Sequence, residues 1–290
     1  MAERPIRVLH VIDSLGRGGA EQLLVSLLPA LAKQDVEPMV AVLRGPYDLQ
    51  RPLESAGVQV VRLSAFNKWN LPAGQRAIAQ LCEREKVDVV HAHLYFPGLY
   101  TGLLGANGRW PVFETFHNLA YAGANRGGLK LRFRKVLRRL IAKRSGSRFL
   151  AVSDAVAHHY RQALDLEMVT ALPNAVDLEE IARIRTRHVH TDTTGTLTIA
   201  VPGRLVAEKG HGDFLEALSG ADLPSFRAKF LGGGPLQGAL QQDIDAMGLP
   251  VTISGSLPHR DFLAQLAQAD NWVEDSPCEG LGIAAADDKG

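Results

Sequence analysis

Short apolar, β-rich runs alternate with stretches of helical spacing along almost the whole chain, and this alternation most constrains its fold. Residues 6–12, 37–43, 58–63, 88–91, 112–116 and 148–152 read as strands, with 168–172 a further one. Between them, 20–32, 73–85, 129–142 and 153–163 carry apolar residues at helical intervals. Apolar strands alternating with helices specify a parallel sheet covered on both faces. Residues 177–196 break the rhythm. They are charged and threonine-rich, without a sustained apolar stripe, and read as a short helix followed by a linker. The alternation then restarts: strands at 197–201, 227–231, 251–254 and around 271–273, helices at 210–218, 236–247 and 261–267. The expected architecture is α/β, with two Rossmann-like domains. The N-terminal domain spans 1–177, a linker spans 178–196, and a partial C-terminal domain spans 197–290. A doubly wound domain usually needs well over ~100 residues, so the second domain reads as incomplete.

Composition narrows the function classes. A chain of 290 residues, 46% hydrophobic and 22% charged, suits a soluble protein of about two domains. Its net charge of +1 gives no reason to expect a nucleic-acid partner. Cys82 and Cys278 form neither a disulfide framework nor a zinc spacing. No apolar run approaches the ~18–20 residues of a membrane span. The stretch from Met1 to Arg7 lacks the apolar core of a signal peptide. The expected location is cytoplasmic, extending to the inner face of a membrane.

The chemistry-bearing residues gather where strands pass into helices. Gly16-Arg17-Gly18-Gly19-Ala20-Glu21 follows the first strand, and its backbone N–H groups suit an anion or simply form a tight turn. It is a poor dinucleotide fingerprint, because Glu21 replaces the third glycine and the second strand ends in Leu43-Arg44 rather than an acid. Gly203-Arg204, with Lys209-Gly210, places two cations after the first strand of the second domain, where open α/β sheets bind ligands. Arg forks onto phosphate oxygens and Lys acts as a point charge; alone, the segment is equally a solvated loop. Gly232-Gly233-Gly234-Pro235 is a second glycine-rich turn, open to a base or phosphate, though alone a plain turn is the simpler reading. His117 ends a strand and is placed to donate to a hydroxyl or phosphate; a structural role is the plainer reading. His91-Ala92-His93 and His188-Val189-His190 are pairs without a third ligand at supportive spacing, so no metal is expected.

The segment from Lys130 to Arg148 carries nine cations and no acid, with Leu129, Phe133, Val136, Leu137, Leu140 and Ile141 near helical spacing. Two readings stand. It lies against anionic lipid, or its apolar face packs on its own sheet.

In order along the chain, Gly18-Gly19-Ala20-Glu21, Val90-His91-Ala92-His93, Thr115-Phe116-His117, Pro173-Asn174-Ala175, Gly203-Arg204 with Lys209-Gly210, Gly232-Gly233-Gly234-Pro235 and Glu279-Gly280-Leu281-Gly282 resemble the family 4 retaining glycosyltransferases of the GT-B fold. The resemblance implies two facing Rossmann-like domains and transfer of a sugar from a nucleotide sugar, a UDP-sugar by preference. The acceptor is then a surface glycan or lipid-linked saccharide, as in polysaccharide or lipopolysaccharide synthesis. The nucleotide sugar is a substrate, and no cofactor or metal is implied. Position by position, His117 and Glu279 would meet the transferred sugar. Gly18, Gly19, Arg204, Lys209, Gly280, Leu281, Gly282 and Ile283 would hold the diphosphate, and Gly233 and Asp287 the nucleoside. The chain departs from the family pattern at Ala175, at Glu274-Asp275 and at Asp287, where Gly, an apolar–proline pair and Glu are usual. It also stops before further strands and a return helix that the family pattern includes. The alternatives are a shortened, non-catalytic remnant that binds a partner or membrane, and a sugar-nucleotide epimerase.

Overall fold

The computed structural model describes residues 4–63, 69–121, 128–175, 177–187, 195–221 and 224–273, and divides into two compact units, Met1–Val176 and Asp177–Gly290. The first unit runs β1 (Ile6–Ile12), α1 (Gly19–Leu31), β2 (Val36–Val42), α2 (Gln50–Ser55), β3 (Gln59–Arg62), α3 (Leu71–Arg84), β4 (Val89–His93), α4 (Tyr95–Gly105), β5 (Val112–Phe116), α5 (Leu129–Arg144), β6 (Arg148–Ala151), α6 (Asp154–Leu164) and β7 (Thr170–Ala171). Its seven strands form one parallel sheet in the order β3-β2-β1-β4-β5-β6-β7. The order reverses between β1 and β4, which opens a crevice at the carboxyl ends of those strands.

Alternate residues of each strand serve opposite faces. Leu9, Val11 and Val90 pack with Ile78, Leu99, Tyr100 and Leu104 on one face. Ile12, Val40 and Val42 pack with Leu24, Leu28 and Leu53 on the other. Each fully buried side chain of this size contributes roughly 1.5–3 kcal/mol.

Helix α4 is absent from the sequence expectation, and its glycines explain why. Gly98, Gly102 and Gly105 dilute the helical signal, yet they lie along one face. A Cβ at Gly98 would sit 2.6 Å from Glu114 Oε2, one at Gly102 2.7 Å from Ile141 Cγ2, and one at Gly105 2.5 Å from the Ser145 carbonyl oxygen. These glycines let α4 press against β5 and α5. Below them Arg138 of α5 forms a buried ion pair with Glu114 of β5, each side chain 2% exposed.

The second unit runs α7 (Leu178–Arg187), β8 (Leu197–Pro202), a 3₁₀ turn (Ala207–Lys209), α8 (His211–Gly220), β9 (Phe226–Leu231), α9 (Gln237–Met247), β10 (Val251–Ile253), α10 (His259–Ala267) and β11 (Asn271–Trp272). Its four described strands are parallel, in the order β10-β9-β8-β11. The reversal falls beside β8, as it does beside β1 in the first unit. Ile199, Val201, Leu215, Phe230, Leu240 and Ile244 form its core. Helix α7, the short helix expected at the start of 177–196, packs against α10. Among the described residues no helix is long and apolar enough to cross a membrane.

Candidate functional site

In the first unit, β1 leads into the Gly16–Gly19 turn. Gly18 is the N-cap of α1, and a Cβ there would lie 2.4 Å from Glu21 Oε2. Glu21 therefore folds back over the cap, as the acid of a capping box does. Ser14 Oγ donates to Glu21 Oε1 at 3.3 Å. The helix's positive end is thus already complemented by a carboxylate, and exposed Gly19 is the outermost part of the corner. Arg44, at the end of β2, pairs with Asp13 at 2.5 Å.

Four histidines gather along β1, β4 and the end of β5. Parallel register sets His10 beside His91 and His93 beside Thr115. His10 Nδ1 lies 3.1 Å from His93 Nε2, and His93 Nδ1 lies 3.0 Å from His117 Nε2. His91 Nε2 meets Thr115 Oγ1 at 2.7 Å. Burial drives all four toward the neutral form: His10 and His93 well below the usual histidine value, His91 to about 4 and His117 to about 3. Among the described residues His10 Nε2 is buried without a hydrogen-bond partner. If His10 Nδ1–H donates to His93, and His93 Nδ1–H to His117, the unpartnered atom is a lone pair rather than an N–H, the cheaper of the two to bury. That direction leaves the proton of His117 on Nδ1.

His10, His91 and His93 also offer one ring nitrogen each within 4.8 Å of one another. That donor set suits zinc or a similar ion, but the nitrogens of His10 and His93 face each other in a hydrogen bond, which a metal would have to replace. Sequence spacing missed His10 because it reaches the pair through strand register, not through a motif. Just after β4, Leu94 adopts φ 74°, a left-handed conformation rare for such a side chain, at the start of α4.

In the second unit the edge is cationic. After β8 the chain turns through Gly203, at φ 140°, into exposed Arg204. The 3₁₀ turn then carries Lys209, and Gly210 at φ 64° starts α8 with no side-chain cap. The first N–H groups of α8 therefore lack intrahelical partners beside a lysine, an arrangement suited to an anion. A Cβ at Gly203 would touch Lys209 Cδ at 3.6 Å and His211 Cε1 at 3.7 Å, which sets both side chains close beneath the turn. His211 is buried, neither ring nitrogen has a hydrogen-bond partner among the described residues, and burial followed by the Lys209 charge lowers its pKa.

The Gly232–Gly234 turn nests directly on this loop. Leu205 N donates to the Gly233 carbonyl at 3.1 Å and Leu236 N to the Leu205 carbonyl at 3.1 Å. A Cβ at Gly232 would lie 1.9 Å from the Gly203 carbonyl oxygen, one at Gly233 2.6 Å from Ser256 Oγ, and one at Gly234 2.4 Å from the Leu205 carbonyl oxygen. Gly232 and Gly234 are required by backbone contact with that loop, while Gly233 faces the Ser256 hydroxyl. Arg204, Lys209 and Gly233 thus share one edge. Gly18, Gly19 and His117 belong to the first unit. Glu279, Gly280, Leu281, Gly282, Ile283 and Asp287 lie outside the described residues, as do His188 and His190.

The family model described as Glycosyltransferase Family 4 matches residues 17–180. Among solved structures, the chain is similar to Anabaena Alr3699/HepE in complex with UDP and glucose. The TM-score is 0.78 at 18% identity, over 97% of this chain and 77% of that one. It is also similar to sucrose-phosphate synthase from Thermosynechococcus elongatus, with a TM-score of 0.74 at 15% identity, over 97% and 78% of the two chains. A third is the lipopolysaccharide outer core galactosyltransferase WaaB, with a TM-score of 0.65 at 12% identity, over 93% and 74%. No curated protein matches the chain in sequence.

Proposed function

The chain belongs to glycosyltransferase family 4 and has the GT-B fold, and we propose that it moves a sugar from a UDP-sugar to a surface glycan or lipid-linked saccharide with retention of anomeric configuration. The observation that carries this reading is the cationic edge of the second unit. Arg204, Lys209 and the uncapped start of α8 follow one strand at the reversal of sheet order. A nucleoside diphosphate is the ligand such an edge suits, because its leaving oxygen gains negative charge as the bond to the anomeric carbon breaks. UDP is preferred because the similar HepE structures contain UDP, UDP with glucose, or UDP-glucose.

Arg204 and Lys209 neutralise the diphosphate as the electron pair of the breaking bond moves onto its oxygen. The acceptor hydroxyl attacks on the face the leaving group occupied and passes its proton to that group. His117 hydrogen-bonds the transferred sugar as a neutral imidazole, and Glu279 meets the same sugar. Gly18 and Gly19 approach the diphosphate, as do Gly280, Leu281, Gly282 and Ile283; Gly233 and Asp287 meet the nucleoside. No metal or cofactor takes part, and the reaction is cytoplasmic.

Incubating the full chain with UDP-sugars and following the anomeric protons by NMR tests this. Transfer or slow hydrolysis with retained configuration is expected, lost in Arg204→Ala and Lys209→Ala. An inverted product removes the retaining mechanism, and absence of any UDP-sugar turnover or binding removes the proposal.

A further inference from the structure

Helix α5 is turned inside out relative to its sequence. Its inward side carries buried Arg138, on Glu114, together with Ile141 and Ala142. Arg134 lies over the Tyr95 ring at 4.2 Å, and the Tyr95 hydroxyl donates to the Arg134 carbonyl at 2.9 Å. Its outward side carries Leu129, Phe133, Val136 and Leu140, which are 84%, 61%, 56% and 50% exposed. At about 100° per residue these four fall within an arc of roughly 60°, a continuous apolar stripe along the solvent side. Exposed cations flank it, Arg132, Arg139 and Lys143 on one side and Lys130 and Arg144 on the other. Asp165 pairs with Arg139 and with Lys143, and α5 itself holds no acid.

We propose that this face of α5 docks on an anionic lipid bilayer, the apolar stripe entering the boundary between headgroups and acyl chains and the flanking cations meeting the headgroups. Charge complementarity selects this occupant. In a chain of net charge +1, cations are concentrated around the one long exposed apolar stripe of this helix. Long basic side chains lay their stems along apolar surface while their heads reach the phosphate level. The helix is a firm base for such contact, because Gly98, Gly102 and Gly105 let α4 close against β5 and α5. Among the described residues, its inner face is the one committed to the fold. The inference does not depend on sugar transfer.

Sedimentation of the full chain with lipid vesicles tests it without any sugar nucleotide. Vesicles of phosphatidylcholine with phosphatidylglycerol are expected to bind at least about tenfold more protein at low salt than phosphatidylcholine alone, and high salt should remove most of the difference. Phe133→Ser with Leu140→Ser is expected to abolish binding while the circular dichroism and Tm stay unchanged, since both side chains face solvent. Arg132→Glu with Arg144→Glu should remove the preference for anionic vesicles. Equal binding to both vesicle types, or full binding by the Phe133→Ser, Leu140→Ser protein, overturns the proposal. So does a dimer in ultracentrifugation that this double variant dissociates, since a second copy would then cover the stripe.

Discussion

The two units present the same topological feature with opposite chemistry. In each, a parallel sheet reverses order beside its first strand, β1 or β8, and opens an edge at the carboxyl ends. In the first unit that edge holds His10, His93 and His117, imidazoles linked in a row and kept neutral by burial. In the second it holds Arg204 and Lys209 ahead of an uncapped helix. Topology provides the place for a ligand; side chains decide its charge. A diphosphate needs fixed positive charge, which is why the proposed donor site is assigned to the second edge. The first can supply hydrogen bonds without adding charge.

The largest effect that tests this contrast is removal of the cations. Arg204→Ala with Lys209→Ala should lower kcat/KM for a UDP-sugar by roughly 10²–10³-fold, the cost of losing preorganised charge stabilisation, with Tm unchanged. Steady-state kinetics beside a thermal melt measures both. Gly232→Ala comes next. Its Cβ would meet the Gly203 carbonyl oxygen at 1.9 Å, so backbone must move. A destabilisation of about 1–3 kcal/mol is expected in urea unfolding, with donor binding weakened because the Arg204 loop shifts. His117→Ala should cost about tenfold in kcat, the scale of one neutral hydrogen bond, with little change in UDP affinity.

The smallest effect is a dependence on pH carried mainly by the histidines of the first edge, with buried His211 of the second unit acting in the same direction. His91 and His117 have folded values of about 4 and about 3, below the ordinary 6.5. Their contribution to stability is complete above the unfolded value and is lost as pH falls from there through the folded values. Urea midpoints should therefore decline as pH drops below about 6.5, and less steeply in His91→Gln. An equal slope in that variant would remove His91 as a cause.

Much of this was legible in the sequence, for physical reasons that also mark where it failed. Buried parallel strands announce themselves as apolar runs, so β1, β2, β5, β8 and β9 appear within a residue or two of their positions. The Arg204–Lys209 loop was visible because strand, turn, cations and helix follow one another directly. Helix α4 was hidden, since Gly98, Gly102 and Gly105 weaken helical propensity while serving close packing. His10 was hidden because sheet register, not spacing, brings it to His93. Helix α5 has the opposite problem. Its apolar residues read equally as a lipid-facing stripe or as a face for the sheet, and spacing alone does not choose; the buried Arg138–Glu114 pair fixes the inner side and leaves Phe133 and Leu140 outside.

Calorimetric titration of UDP into three forms of the full chain tests the central claim most directly: the wild type, the Arg204→Ala, Lys209→Ala variant and the His117→Ala variant. Fixed charge on the second edge predicts affinity lost in the double variant and kept within a few-fold in His117→Ala, the loss of one hydrogen bond at most. Affinity retained in the double variant, or lost only with His117, would contradict it.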